Sequence, residues 1–378
     1  MKHMKRIALP ILILPILLVI GLSSRSSSRN ERIEDLEYAL TSDDPAVRIG
    51  AIAALTEYGD AAVPSLRKAL KDADENVKKT AVIALGKIGG QRAADALADT
   101  LVDPDRTTRV RGIIALSMTG RPGLSHLFRA VESEPFPRAR LFAAHGITKL
   151  VGPGDAPEIM KRFERQDSAT KMHLVIALVK IGDDESYASL NRLMDSPNRL
   201  VRFYVASTIS EAPADRRSIP ILTKAVRDEA QEVRMWSMYA LEQLSAPETY
   251  PVVLAALNDN DAYVRKEAAY TLGSLGNRAA MPHLISSLKD PYYLVRCDSA
   301  DSLGRLGDPK AIPVLRPLLA EDNEALQIKA AEALARLNDY SGMEILVSIV
   351  DSPVYLYKVE ATQALRRISN KDFGEDRQ

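Results

Sequence analysis

The sequence predicts an all-α solenoid, a superhelix of about eleven helix–turn–helix repeats of 31 residues, over residues 33–370. Three observations predict it. A basic residue, once replaced by glutamine, returns at nearly constant intervals: Arg48, Lys78, Arg109, Arg140, Lys171, Arg202, Arg234, Arg265, Arg296, Gln327 and Lys358. Counted from each of these as position zero, apolar residues recur at helical spacing. Asp, Gly and Pro then punctuate the units at fixed offsets, where helices start and stop. A helix pair this small cannot bury its own apolar stripe, so stacking on its neighbours is the stable solution.

Composition bounds the function. Of 378 residues, 46% are hydrophobic and 26% charged, with 50 basic side chains against 50 acidic. That balance lacks the concentrated basic surface that nucleic-acid binding needs, so no nucleic-acid partner is expected. The single cysteine, Cys297, excludes a disulfide framework, a cysteine zinc cluster and a CxxC redox site.

The chain opens with Lys2, Lys5 and Arg6 before an uncharged run over residues 7–22. At about 1.5 Å per residue this run spans roughly 24 Å, slightly short of a bilayer core. Pro10 and Pro15 interrupt a straight helix. Residues 1–22 are therefore expected to be a signal peptide or an N-terminal membrane anchor. The body is expected to be extracytoplasmic, in a bacterial periplasm or secreted; an inner-membrane anchor with a cytoplasmic body is the alternative. A Ser/Arg-rich linker is expected over 23–32 and a C-terminal tail over 371–378.

Each repeat is justified element by element. Small or apolar residues occupy +3 and +4, as in Ala268-Ala269 and Ala330-Ala331, and apolar residues +7 and +10, as in Leu272 and Leu275. This is one buried stripe on a second helix of about twelve residues. Asp44, Asp74, Asp105, Asp167, Asn198, Asp261 and Asn323 sit at −4, where a side chain accepts the unpaired amides of a first turn. Gly59, Gly89, Gly120, Gly182, Gly276 and Gly307 sit at +11, where a left-handed residue closes a helix. Pro64, Pro157, Pro220, Pro251, Pro282 and Pro313, at −14, mark the first turn of the preceding helix.

The unit resembles the short HEAT-like repeat of phycobilisome bilin lyases, approximately Asp-x-x-x-Val-Arg-x-x-Ala-x-x-Ala-Leu-x-x-Leu-Gly. Residues 261–276, from Asp261 through Val264-Arg265 and Ala268 to Leu275-Gly276, follow it closely. The resemblance covers about residues 31–370 and implies a binding scaffold. It implies little about catalysis. The His-Glu pairs that hold iron in the related deoxyhypusine hydroxylases do not occur here.

The chemical motifs are sparse. Ser65-Leu66-Arg67-Lys68 and Ser168-Ala169-Thr170-Lys171 match Ser-x-x-Lys without its companion motifs. No phosphate loop, serine-hydrolase elbow or metal-binding His pair occurs, so no catalytic residue, metal or cofactor is expected. The position-zero cations are expected to pair with acidic −6 residues of neighbouring repeats: Asp72, Asp103, Glu134, Asp228, Asp259, Asp290 and Glu321.

Function is then sought where repeats differ. Positions +2, +5 and +9 lie opposite the buried stripe, and in relatives of this type the second helices line a concave wall. Phe142, His145, His173, Tyr204, Trp236, Tyr239 and Tyr270 fall on consecutive rungs there. Glu267, Asp298, Asp301, Glu332 and Glu360 form an acidic end, and Lys149, Lys180, Arg305, Arg336 and Arg367 edge the groove. The expected function is a non-catalytic, membrane-associated scaffold whose aromatic groove grips an extended peptide or helix of a protein partner. A bilin-lyase-like enzyme or enzyme subunit and a cell-wall or glycan-binding module are the alternatives.

Overall fold

The computed structural model describes residues 29–375. The expected leader, residues 1–22, lies outside these, as do most of the linker and the last residues of the tail. Among the described residues every regular element is helical, and no helix is long and apolar enough to cross a membrane.

Two units follow one another, divided after Ser189. The first carries α1 (Arg29–Ala39), α2 (Pro45–Thr56), α3 (Val63–Ala69), α4 (Glu75–Ile88), α5 (Gly90–Leu97), α6 (Arg106–Leu116), α7 (Leu124–Ser133), α8 (Pro137–Leu150), α9 (Ala156–Phe163) and α10 (Ser168–Ile181). The boundary falls within α11 (Asp184–Leu193). The second carries α12 (Arg199–Glu211), α13 (Ile219–Ala225), α14 (Gln231–Leu244), α15 (Tyr250–Ala255), α16 (Ala262–Leu275), α17 (Met281–Ser287), α18 (Tyr293–Leu306), α19 (Ile312–Leu315), α20 (Glu324–Arg336), α21 (Met343–Ile349) and α22 (Tyr355–Glu375).

The even-numbered helices are the second helices of the repeats, and each holds one position-zero residue. Within the first unit α2, α4, α6, α8 and α10 pack side by side; within the second α12, α14, α16, α18, α20 and α22 do. Helix α1 starts at Arg29, inside the expected linker, and α22 runs to Glu375, inside the expected tail.

The punctuation acts as its chemistry dictates. All seven −4 residues accept a backbone N–H of the following turn. The six +11 glycines have φ between 61° and 79°, a region costly for residues with a Cβ. Only Gly182, Gly276 and Gly307 close their helices as left-handed caps. Gly89 closes its helix with an extended ψ, and Gly59 and Gly120 follow helices already ended by Glu57 and Ser117. The −14 prolines lie in the first turn of the first helices. These first helices are short. Pro317 removes an amide donor after α19, and the chain continues as a 3₁₀ turn over Arg316–Ala320. The stripe at +3, +4 and +7 forms the core: Ala268, Ala269 and Leu272 are fully buried, as are Ala51, Ile52 and Leu55. Each leucine of this stripe contributes about 1.5–3 kcal/mol.

Position zero is a clamp between repeats. Arg202 is typical: Nη1 donates to the Ser196 carbonyl at 2.7 Å, while Nε and Nη2 grip the Asp228 carboxylate at 2.6 and 3.0 Å. Arg48, Arg109, Arg234 and Arg265 repeat this with Asp72, Glu134, Asp259 and Asp290. Arg140 reaches Asp167 instead. Gln327 keeps only the carbonyl half, donating to Glu321 and Leu319. Burial alone would lift the Asp72 and Asp290 carboxyls, but hydrogen bonds from the arginines and from backbone amides hold both below the usual range.

Candidate functional site

The +2, +5 and +9 residues are exposed or half-buried, apart from Asp301 and Glu332, and the structure places the seven candidate rings as follows. In the first unit Phe142 is 45% exposed, His145 is exposed and His173 half-buried. The His145 and His173 rings meet edge-on at 5.7 Å, and burial together with His145 lowers the His173 pKa, so its ring is neutral. In the second unit Trp236 is half-buried and meets the exposed Tyr239 edge-to-face at 6.0 Å and 90°. Two rings on one helix turn present an amphipathic surface at little entropic cost. Tyr204 is half-buried and packs on its chain neighbour Phe203 at 5.8 Å. The Arg305 guanidinium covers Tyr270 at 4.3 Å. The expected series of rungs is thus resolved into a His pair with Phe142, a Trp–Tyr pair, and a Tyr capped by Arg.

The acidic end differs from an open acidic face. Asp301 and Glu332 are buried, at 6% and 5% exposure. Arg336 donates to Asp301 at 2.6 Å, and Arg305 reaches the same carboxylate at 2.8 Å. Arg367 and Lys329 hold Glu332. The +9 arginines expected at the groove edge therefore fold back onto +5 carboxylates, Arg305 within its own helix and Arg336 and Arg367 onto the preceding repeat. The reason is electrostatic: a carboxylate removed from water needs a partner nearby. Lys266 pairs with Glu267 at 2.7 Å and lies 3.6 Å from Asp298. Burial pushes the Asp298 carboxyl up to about 6, with Glu267 and Asp301 adding repulsion.

The remaining candidates for chemistry are packing or surface residues. Cys297 is buried, and burial pushes its thiol up to about 12. Ser65 Oγ bonds Glu37, and Lys171 pairs with Glu164 at 3.5 Å above the Phe163 ring. Among the described residues no group of three His, Cys, Asp or Glu side chains is placed to hold a metal.

Two features escaped the sequence. Ile83, Ile114 and Met118 stand 42%, 44% and 52% exposed on the second-helix layer of the first unit. Their signal was present, since they occupy +5 and +9, but aliphatic side chains at those positions do not differ in kind from the core residues beside them. On the turn side of the second unit, Tyr263, Tyr292 and Tyr293 form consecutive edge contacts at 5.6 and 5.7 Å.

A family model described as HEAT repeats matches residues 33–118, 190–273 and 250–334. No curated protein matches. Among solved structures the chain is similar to Kap121p, with 16% identity and a TM-score of 0.60; the match covers 92% of this chain and 47% of that one. It is also similar to the karyopherin Kap121p bound to the extreme C-terminus of the protein phosphatase Cdc14p, with 15% identity and a TM-score of 0.54, covering 92% and 47%. Kap121p bound to Pho4p gives 15% identity and a TM-score of 0.52, covering 92% and 46%. The chain thus spans about half the length of these structures.

Proposed function

The chain belongs to the HEAT-repeat family, and we propose that it is a non-catalytic scaffold whose second-helix layers hold a segment of a protein partner. The Trp236–Tyr239 pair carries this reading, because it places the only tryptophan of the chain on the face turned from the core. Large amphipathic rings at such positions dominate binding energy in protein interfaces. Two of the Kap121p structures hold protein partners, one of them a chain terminus, and the same mode is extended here to this chain. The repeats are read as the short type resembling bilin-lyase repeats, on the strength of their 31-residue period.

Residues 7–22 would tether the scaffold to a membrane, with the body extracytoplasmic. Tethering raises the effective concentration of a partner in the same membrane and compensates for modest intrinsic affinity. The test is affinity purification of the full chain from membranes, beside a Trp236→Ala/Tyr239→Ala variant. The expected result is a stoichiometric protein partner whose retention falls about tenfold or more in the variant. Undiminished retention refutes the reading. Protease accessibility on intact cells tests the side on which the body lies.

A further inference from the structure

The first unit carries a surface whose chemistry selects a narrower class of partner than the scaffold reading, on which this inference rests. Helices α4, α6 and α8 lie side by side, and Gly86 brings α4 close to α6; a Cβ there would lie 3.2 Å from the Ala115 Cβ. On the face turned from the core stand Ile83, Ile114, Met118 and Phe142, each between 42% and 52% exposed. They are not surplus core, because their chain neighbours Val82, Ile113 and Ala143 already fill the interior. Single exposed apolar residues are ordinary, but three on adjoining helices, with Met118 in the turn that follows α6, make a patch that marks an interaction site.

The charges around this patch are mostly of one sign. Lys87 and Lys149 are exposed at +9, beside Met118 in the same register. Lys180, also at +9, donates to the carbonyls of Lys149 at 2.8 Å and Thr148 at 2.6 Å. Arg111 lies at +2, 3.7 Å from Glu75. The remaining titratable groups at these positions in the first unit are Glu57, His145 and His173, the last held neutral. An anionic bilayer would find apolar and basic groups here too, but the body as a whole repels it. Residues 1–32 hold six of the 50 basic and one of the 50 acidic side chains, leaving 44 against 49 beyond them.

We propose that this surface docks an amphipathic helical segment of a protein partner, with apolar side chains along one face and Asp or Glu between them. The apolar side chains would cover Ile83, Ile114, Met118 and Phe142, while the carboxylates meet Lys87, Lys149 and Arg111. Electrostatic complementarity of this kind selects the partner, and apolar burial supplies the affinity.

The test uses the full chain and fluorescence anisotropy. The probe is a labelled sixteen-residue peptide with Leu at helical spacing and Glu between, beside a counterpart with Lys for Glu. The Glu peptide should bind and the Lys peptide should not, and raised salt should weaken binding. Ile114→Ser/Phe142→Ala should weaken it by about tenfold or more. Lys87→Glu/Lys149→Glu, which leaves the core untouched, should weaken the Glu peptide and admit the Lys peptide. Absence of Glu-peptide binding, equal binding of both peptides, or indifference to both variants would overturn the proposal. So would variant-sensitive sedimentation with phosphatidylserine vesicles. Glu-peptide binding lost only in Trp236→Ala would defeat this surface and leave the scaffold reading standing. Partner retention unchanged by Trp236→Ala/Tyr239→Ala would defeat the latter.

Discussion

Replacing Arg202 by alanine tests whether the position-zero arginine is structural. Arg202 and Asp228 have side chains only 8% and 7% exposed, so neither charge has bulk water to fall back on. The substitution removes bonds of 2.6 and 3.0 Å to Asp228, 2.7 Å to the Ser196 carbonyl and 2.8 Å to Glu229. It leaves Asp228 buried with the Ala230 amide, at 2.8 Å, as its remaining donor. Breaking a buried pair in this way costs about 3–5 kcal/mol. Removing both charges with Arg202→Met/Asp228→Leu should recover much of that loss, because no uncompensated charge remains. The exposed pair Arg216–Glu248, at 68% and 47% exposure, is the control. Arg216→Ala should cost below about 1 kcal/mol and respond to salt, as the buried clamp should not. Urea unfolding followed by far-ultraviolet circular dichroism gives the free energies. Hydrogen exchange in α12 and α14 localises them, since repeat arrays are destabilised mainly at the altered contact. If Arg202→Ala costs no more than Arg216→Ala, the clamp is an incidental surface contact and the reasoning fails.

Titration and helix capping give two more tests. Asp298, with its carboxyl at about 6 against an ordinary 3.8, holds a proton in the folded state that the unfolded chain has lost, so stability falls as pH rises from about 4 to 6. Asp298→Asn should therefore be more stable than the parent above about pH 7, by up to about 3 kcal/mol, and the difference should vanish near pH 4; a variant less stable at neutral pH contradicts this. In α16, Asp261 accepts the Tyr263 and Val264 amides at 2.9 and 3.1 Å, and Gly276 closes the helix at φ 66°. Asp261→Ala and Gly276→Ala should each cost about 1 kcal/mol and add, because the two ends share no partner; thermal unfolding that shows neither loss would remove the capping argument.

The parts of the fold legible in the sequence are those that depend on neighbours in the chain. A cap at −4, a left-handed glycine at +11 and a stripe at +3, +4 and +7 are satisfied within one helix, so their spacing reveals them. The seven caps, and Gly182, Gly276 and Gly307 as left-handed closures, adopt the expected roles for that reason. The acidic end is harder to read because its pairing crosses repeats. Arg336 meets Asp301, and Arg367 meets Glu332, each across 35 positions, which is one 31-residue repeat plus the four-residue step of a helix face. A face assignment made helix by helix sees two rows of opposite charge, and only the stacking of the second helices reveals them as partners. Arg140 departs from the −6 rule for a similar reason: Asp167, expected as a helix cap, serves as both cap and clamp partner.

The distribution of satisfied and unsatisfied surface separates scaffold from function. At position zero the same clamp recurs at Arg48, Arg109, Arg202, Arg234 and Arg265, so those arginines are occupied in holding the stack. Lys78 instead pairs with Glu75 rather than Asp103, and Arg296 bonds the Asp290 and Pro291 carbonyls rather than Glu321. The +5 carboxylates Asp301 and Glu332 are occupied as well, each neutralised by arginine from the next repeat. A charge already paired and desolvated offers little to an incoming ligand, because a new partner must replace an existing one of equal quality. Ile83 and Ile114 occupy that same +5 position in the first unit and have no such internal use; they are left 42% and 44% exposed. Exposed apolar area costs about 25 cal/mol per Å², and that cost is recovered only when something covers it. At +5, then, Asp301 and Glu332 reinforce the stack, whereas Ile83, Ile114 and Tyr239 leave side-chain surface open to solvent.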